Sequence, residues 1–161
     1  MDGRLTIREL RPADAAEVQA FVRRLSPESR RRRFFAPINE LTPSQLARVT
    51  RGNGPDDVNL AAFGAEGRIV GLAQYAVEGA GSAEFGVVID DAWQGSGLGT
   101  RLVATLLELA RKRGFGALHG LVQYDNRPML GLAAKLGFEL LKAADPGLLR
   151  VERSLAEARA A

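Results

Sequence analysis

The chain has no cysteine, one histidine (His119) and only three lysines, Lys112, Lys135 and Lys142, among its 161 residues. Without cysteine there are no disulfides, no thiolate metal ligands and no thiol nucleophile to carry a covalent intermediate, so any group transfer is expected to be direct. A single histidine cannot build a histidine-rich metal site, and no metal is expected. No apolar run approaches the ~20 residues of a membrane span. The first residues also lack the apolar core of a signal peptide, so the sequence reads as a cytoplasmic protein with no membrane partner. With lysine so scarce, the net charge of +3 rests on arginine. A basic balance suits an anionic ligand and suits nucleic acid equally, but no aromatic platform accompanies the arginines, so nucleic acid is not expected as a partner.

What is present fits one domain over residues 1–161, long enough to bury roughly two thirds of its unfolded surface, with 155–161 expected as a frayed tail. Leu5 to Glu9 alternates as an opening strand. Pro12 then starts a helix to about Leu25, with Ala16, Ala20 and Leu25 expected toward a core. Ser26-Pro27-Glu28 is a cap followed by proline at the first helical position, and Thr42-Pro43-Ser44-Gln45 repeats the device as a capping box, so short helices start at both. Val58 to Ala65, Arg68 to Val77 and Ala83 to Ile89 read as antiparallel strands on short connections. Leu98, Leu102, Leu106 and Leu109 mark one face of a helix to about Arg113. Ala117 to Gln123 is a strand, Arg127 to Leu136 a helix ended by Gly137, and Phe138 to Ala143 with Leu148 to Arg153 a closing strand pair. The crossover through the Leu98 helix predicts one parallel strand pair in a mixed sheet.

The most informative stretch is VVIDDAWQGSGLGT, Val87 to Thr100, where a β-branched strand enters a glycine-rich turn that opens onto a helix. Helix N-termini carry unpaired N–H groups and a positive dipole end, usually occupied by Asp or Glu. This first turn has neither. Gly95, Gly97 and Gly99 either form a plain tight turn or clear the main chain for a phosphate. A dinucleotide fingerprint would need glycine at Thr100, and a P-loop would need a Gly-Lys-Ser/Thr ending; both fail.

Gln94, Gly97 and Gly99 fill the fixed positions of Gln/Arg-x-x-Gly-x-Gly/Ala, so this stretch resembles the pyrophosphate motif of the GNAT (Gcn5-related N-acetyltransferase) family. NRPMLGLAAKLGFEL, Asn126 to Leu140, resembles the family's second signature. LSPESRRRRFF, Leu25 to Phe35, and AEFGVVIDDAWQGSGLG, Ala83 to Gly99, are similar to the acetyltransferase domain of bacterial protein lysine acetyltransferases. The resemblance implies an α/β (α+β) GNAT fold. In it a mixed sheet of about six to seven strands is flanked by about four to five helices, and a parallel pair splays around the cofactor. It implies acetyl-CoA as donor, an amine acceptor (a protein lysine or a small molecule), and the dimers common in the family.

By that resemblance the main chain of Val87, Val88 and Ile89 would bond the pantetheine arm, while Gln94, Gly95, Ser96, Gly97, Leu98, Gly99 and Thr100 cradle the pyrophosphate. Asn126 would reach the cofactor, or simply cap its helix. An ammonium acceptor near pKa ~10.4 must lose a proton before it attacks a thioester, so a base is needed. Glu84 is the candidate, with Gly86 and Val88 on one strand face opposite Phe85 and Val87. Many family members place a tyrosine as general acid where this chain has Ala133. Tyr124 could substitute, and His119 reads as structural. Arg30 to Arg33 spread around a helix and read as a solvated rim, or as cations bordering the acceptor cleft. The alternative to an enzyme is a noncatalytic acyl-CoA sensor, which Ala133 keeps open.

Overall fold

The computed structural model describes residues 4–156. In chain order the elements are β1 (Thr6–Glu9), α1 (Ala15–Arg24), α2 (Pro27–Phe34), α3 (Pro43–Thr50), β2 (Asp57–Phe63), β3 (Ile69–Val77), β4 (Ser82–Ile89), α4 (Leu98–Lys112), β5 (Ala117–Gln123), α5 (Arg127–Lys135), β6 (Glu139–Lys142) and β7 (Leu148–Ser154). The strands form one seven-stranded sheet in the order β1-β2-β3-β4-β5-β7-β6. Every pairing is antiparallel except β4 with β5, as the crossover through α4 requires.

Helices cover both faces. Phe21, Val22, Leu25, Leu41, Ile69 and Val88 pack in one layer under α1 to α3, and Leu98, Leu102, Val103, Leu106 and Phe85 in the other under α4 and α5. Strand β2 lies between the two layers and is buried at all seven positions, the polar Asp57 and Asn59 as well as its small and apolar residues. Helix α4 approaches the sheet so closely that a Cβ on Gly71 would lie 2.9 Å from Leu102 Cδ1. Leu106 is fully buried at the centre of this layer. Leu106→Ala should therefore cost about 2–5 kcal/mol, read as a lowered midpoint in urea unfolding with an unchanged slope.

Two expectations need correction. In α1 the buried stripe is Val18, Phe21, Val22 and Leu25, while Ala16 is exposed. The spacing i, i+3, i+4, i+7 of the larger side chains outweighs alanine, whose one methyl adds little buried area. The tail expected from 155 begins with a packed residue, since Leu155 is 5% exposed and donates its N–H to the Gly116 carbonyl at 2.8 Å. Residues 157–161 lie outside those described.

Candidate functional site

Strands β4 and β5 pair over only three positions, Ser82 with Ala117, Ala83 with Leu118 and Glu84 with His119. Beyond them the strands diverge. The Phe85 ring lies across Gly120, where an added Cβ would come within 2.8 Å of it, and packs on Phe138 with ring centroids 5.3 Å apart. The divergence opens a cleft of about 570 Å³ walled by Glu84 to Ile89 on one side and Gly120 to Val122 on the other. Val87, Val88 and Ile89 pair with β3 on their far side. All three also line the cleft.

At the end of β4 the chain turns through Asp91 to Trp93 and reaches the glycine turn. Gly95 (φ +78°) and Gly97 (φ +88°) occupy the left-handed region, and nothing lies within 4 Å of where their Cβ atoms would be. Both glycines are thus required by backbone and leave open space in front of the turn. Gly99 differs from the expectation. Its added Cβ would meet Leu132 Cδ1 at 2.9 Å and Ile89 Cγ1 at 3.6 Å, so this glycine brings α4 against α5 and β4 rather than clearing a ligand path.

Helix α4 begins without a side-chain cap on Gly97 and with no acidic residue in its first turn. Ser96 Oγ accepts from Leu98 N at a long 3.4 Å, and the first helical carbonyl bond is Arg101 N to Gly97 O. Gly99 and Thr100 have no carbonyl a turn behind them, so their N–H groups stand ready for an anion. Leu98 is 2% exposed, so its side chain belongs to the core and only its amide reaches the turn. Gln94, exposed and in the cleft lining, donates from Nε2 to Ser29 Oγ (3.1 Å) and the Ile89 carbonyl (3.2 Å). Asp91 accepts from Ser26 N (2.8 Å), Ser26 Oγ (2.9 Å) and Ser29 Oγ (2.7 Å), which clamps the start of α2 to the turn. Burial pushes its carboxyl up, but the bonds from Ser29 and Ser26 outweigh that and hold it below the ordinary aspartate value.

Glu84 stands in the cleft wall at the last paired position. Across the sheet it shares a row with Ala76, His119 and Glu152. Glu78, two residues on from Ala76, lies diagonally on the same face. Burial, followed by the neighbouring Glu78 carboxylate, pushes Glu84 up from 4.5 to about 7, against the pull of Arg33 and Arg150. His119 is 2% exposed, its Nδ1 has no hydrogen-bond partner among the described residues, and burial together with Arg150 holds it below its ordinary value. A neutral ring in the sheet fits the structural reading.

The arginine run divides by helix geometry. Arg32 pairs with Glu28 at 3.0 Å, Arg30 donates to the Leu25 carbonyl, and Arg33 alone folds over Gly86 beside Glu84. Glu78 carries no signal of its own in the sequence, and Arg33 stands out there only as one of the run Arg30 to Arg33. The register across the Gly79-Ala80-Gly81 hairpin would have placed Glu78 near Glu84.

Asn126 caps α5, its Oδ1 accepting from Met129 N at 3.3 Å, and also lines the cleft. Ala133 is fully buried in the core, and Tyr124 is 66% exposed and outside the cleft lining, so neither position brings a hydroxyl to the site. No group of three or more His, Asp or Glu residues is placed to hold a metal ion among the described residues. No helix there is long and apolar enough to cross a membrane.

The chain is similar to known proteins in sequence and in fold. A sequence model described as the acetyltransferase (GNAT) family matches residues 23–138. An acetyltransferase of Pseudomonas aeruginosa is 36% identical over 142 residues, 85% of this chain and 76% of that one. An L-methionine sulfoximine/L-methionine sulfone acetyltransferase of the same species is 35% identical over 86 residues, 50% of each chain. The crystal structure of the GNAT domain of S. lividans PAT superposes with a TM-score of 0.86 at 28% identity, covering 92% of this chain and 89% of that one.

Proposed function

Because the chain belongs to the acetyltransferase (GNAT) family, which uses acetyl-CoA as its acyl donor, we propose that it moves an acetyl group from acetyl-CoA to a primary amine by direct attack in a ternary complex. The open glycine turn and the free amides of Gly99 and Thr100 fit a pyrophosphate, and the edge at Val87, Val88 and Ile89 fits an extended pantetheine arm. Gln94 lines the cleft and also ties the turn to Ser29 and the Ile89 carbonyl. Asn126 stands where it can both cap α5 and reach the arm.

The observation that carries this reading is Glu84, a carboxylate tuned to about 7 in the wall of the cleft. A base poised near neutral pH can take a proton from an ammonium without being permanently protonated itself. The amine nitrogen then bonds the thioester carbonyl carbon, a strand N–H near Val88 stabilises the developing oxyanion, and the C–S bond breaks. With no hydroxyl at Ala133 and Tyr124 turned away, solvent protonates the departing thiolate. The acceptor is a protein lysine or a small-molecule amine. The resemblance of Leu25 to Phe35 and Ala83 to Gly99 to bacterial protein lysine acetyltransferases supports the first, and likeness to the methionine sulfoximine acetyltransferase over half its length supports the second.

The test is free-thiol release from acetyl-CoA against lysine-bearing proteins and small amines. Initial rates should intersect on double-reciprocal plots. Below pH 7 kcat/KM should fall roughly tenfold per pH unit, as Glu84 gains its proton. Tight acetyl-CoA binding with no turnover on any acceptor would overturn the enzyme reading and favour a sensor, the role that buried Ala133 would suit.

A further inference from the structure

A second cavity, of about 250 Å³, lies between α3 and the face of β2 to β4, on the opposite side of Arg33 from the cleft. Its floor is a polar row across three strands, Asn59 beside Gln74 beside Gly86. The next row along holds Asp57, Ala76 and Glu84, so the cavity floor lies two residues from the proposed base, a separation of roughly 7 Å. Two cations border it, Arg33 from the wall and Arg48 from the exposed mouth.

Their state of pairing decides what the cavity can take. Asp57, its one carboxylate, is already held by Arg51 (3.1 Å), by Gly54 N (3.0 Å) and by Asn59 Nδ2 (3.3 Å). No hydrogen bond or ion pair engages Arg33 or Arg48 among the described residues, while Arg32 and Arg51 nearby are both paired. Arg33 is seated deliberately. Its Cζ lies 2.5 Å from where a Cβ on Gly86 would be, so the glycine admits the guanidinium onto the strand. Burial lowers the affinity of Arg33 for its proton, against the charge of Glu84. A half-buried guanidinium with an unused planar fork is a receptor for a carboxylate.

We propose that this cavity binds the carboxylate of the acceptor between Arg33 and Arg48, which makes the acceptor a small amino acid whose amine points toward Glu84. This deepens the acetyltransferase reading and rests on it. The cavity is smaller than the ~300 Å³ lower end of drug-sized pockets, which suits a metabolite. Two or three bonds between amine and carboxylate, plus the reach of the Glu84 side chain, cover the distance from the polar row to the base.

The experiment compares L-amino acids with their own amides, for example L-leucine with L-leucinamide across a panel of side chains. Both rates and binding are measured on the wild type and on Arg48→Gln. The acids should show KM values at least tenfold below the amides. Arg48→Gln should raise KM for the acids roughly 10–100-fold while leaving KM for the amides and for acetyl-CoA within twofold. Arg33→Gln should do the same to the acids. Amides used as well as acids, or an Arg48→Gln effect equal on both, overturns the proposal. So does turnover confined to protein lysines, although acetyl transfer then stands. If no acceptor is turned over, the acetyltransferase reading fails, and calorimetric binding decides the cavity separately. Acid binding that Arg48→Gln abolishes upholds the carboxylate site; equal or absent binding of acids and amides overturns it.

Discussion

Glu84→Gln is expected to lower kcat/KM for acetyl transfer by a factor of about 10² to 10⁴, the range of general-base catalysis, while leaving acetyl-CoA binding within about twofold. The same change should stabilise the protein at alkaline pH. Glu84 is raised on folding from 4.5 to about 7, first by burial and then by Glu78. A group raised in this way contributes stability that is complete below about 4.5 and lost as pH climbs through about 7. At pH 8 the wild type therefore carries a buried charge that glutamine lacks. Allowing for solvent screening of a half-buried group, the gain is about 1–2 kcal/mol. Scanning calorimetry at pH 8 and pH 4 checks it, with Tm of the variant higher at pH 8 and the difference gone at pH 4. Activity lost together with Tm at both pH values would mean damage to the fold, not loss of a base.

Ser96→Asp should separate stability from donor binding in the opposite sense. Helix α4 starts with no acidic residue in its first turn and only a 3.4 Å bond from Leu98 N to Ser96 Oγ. A carboxylate there supplies the negative charge the helix dipole lacks, worth about 0.3–1 kcal/mol. It also repels a pyrophosphate at the same amides. KM for acetyl-CoA should rise tenfold or more, with Tm unchanged or higher and acceptor KM unmoved. Ser96→Asn, alike in shape but uncharged, should do far less. An unchanged KM for acetyl-CoA in the aspartate variant would remove the anion from this turn.

The sequence disclosed the elements well because their signals are local. The Ser26 and Thr42 caps, the leucine stripe of α4 and the alternation in β4 each follow from a few neighbouring residues. The parallel pairing of β4 with β5 also followed, since a helical crossover leaves little other choice. What stayed hidden depends on contacts distant in sequence. Gly99 looked like its neighbours Gly95 and Gly97 until Leu132, thirty-three residues away, proved to fill the space above it. Arg33 could not be told from three adjacent arginines without knowing that Gly86 lies beneath it. Glu78 acquired meaning only through the register of its hairpin.

Strands β4 and β5 stop pairing after Glu84 and His119 in the folded chain itself, with the Phe85 ring lying across Gly120 and against Phe138. The work of parting the strands is then done once, when the chain folds, and not at each encounter with a donor. Association should follow a single bimolecular step whose rate rises linearly with donor concentration, without the plateau that a slow opening motion would impose.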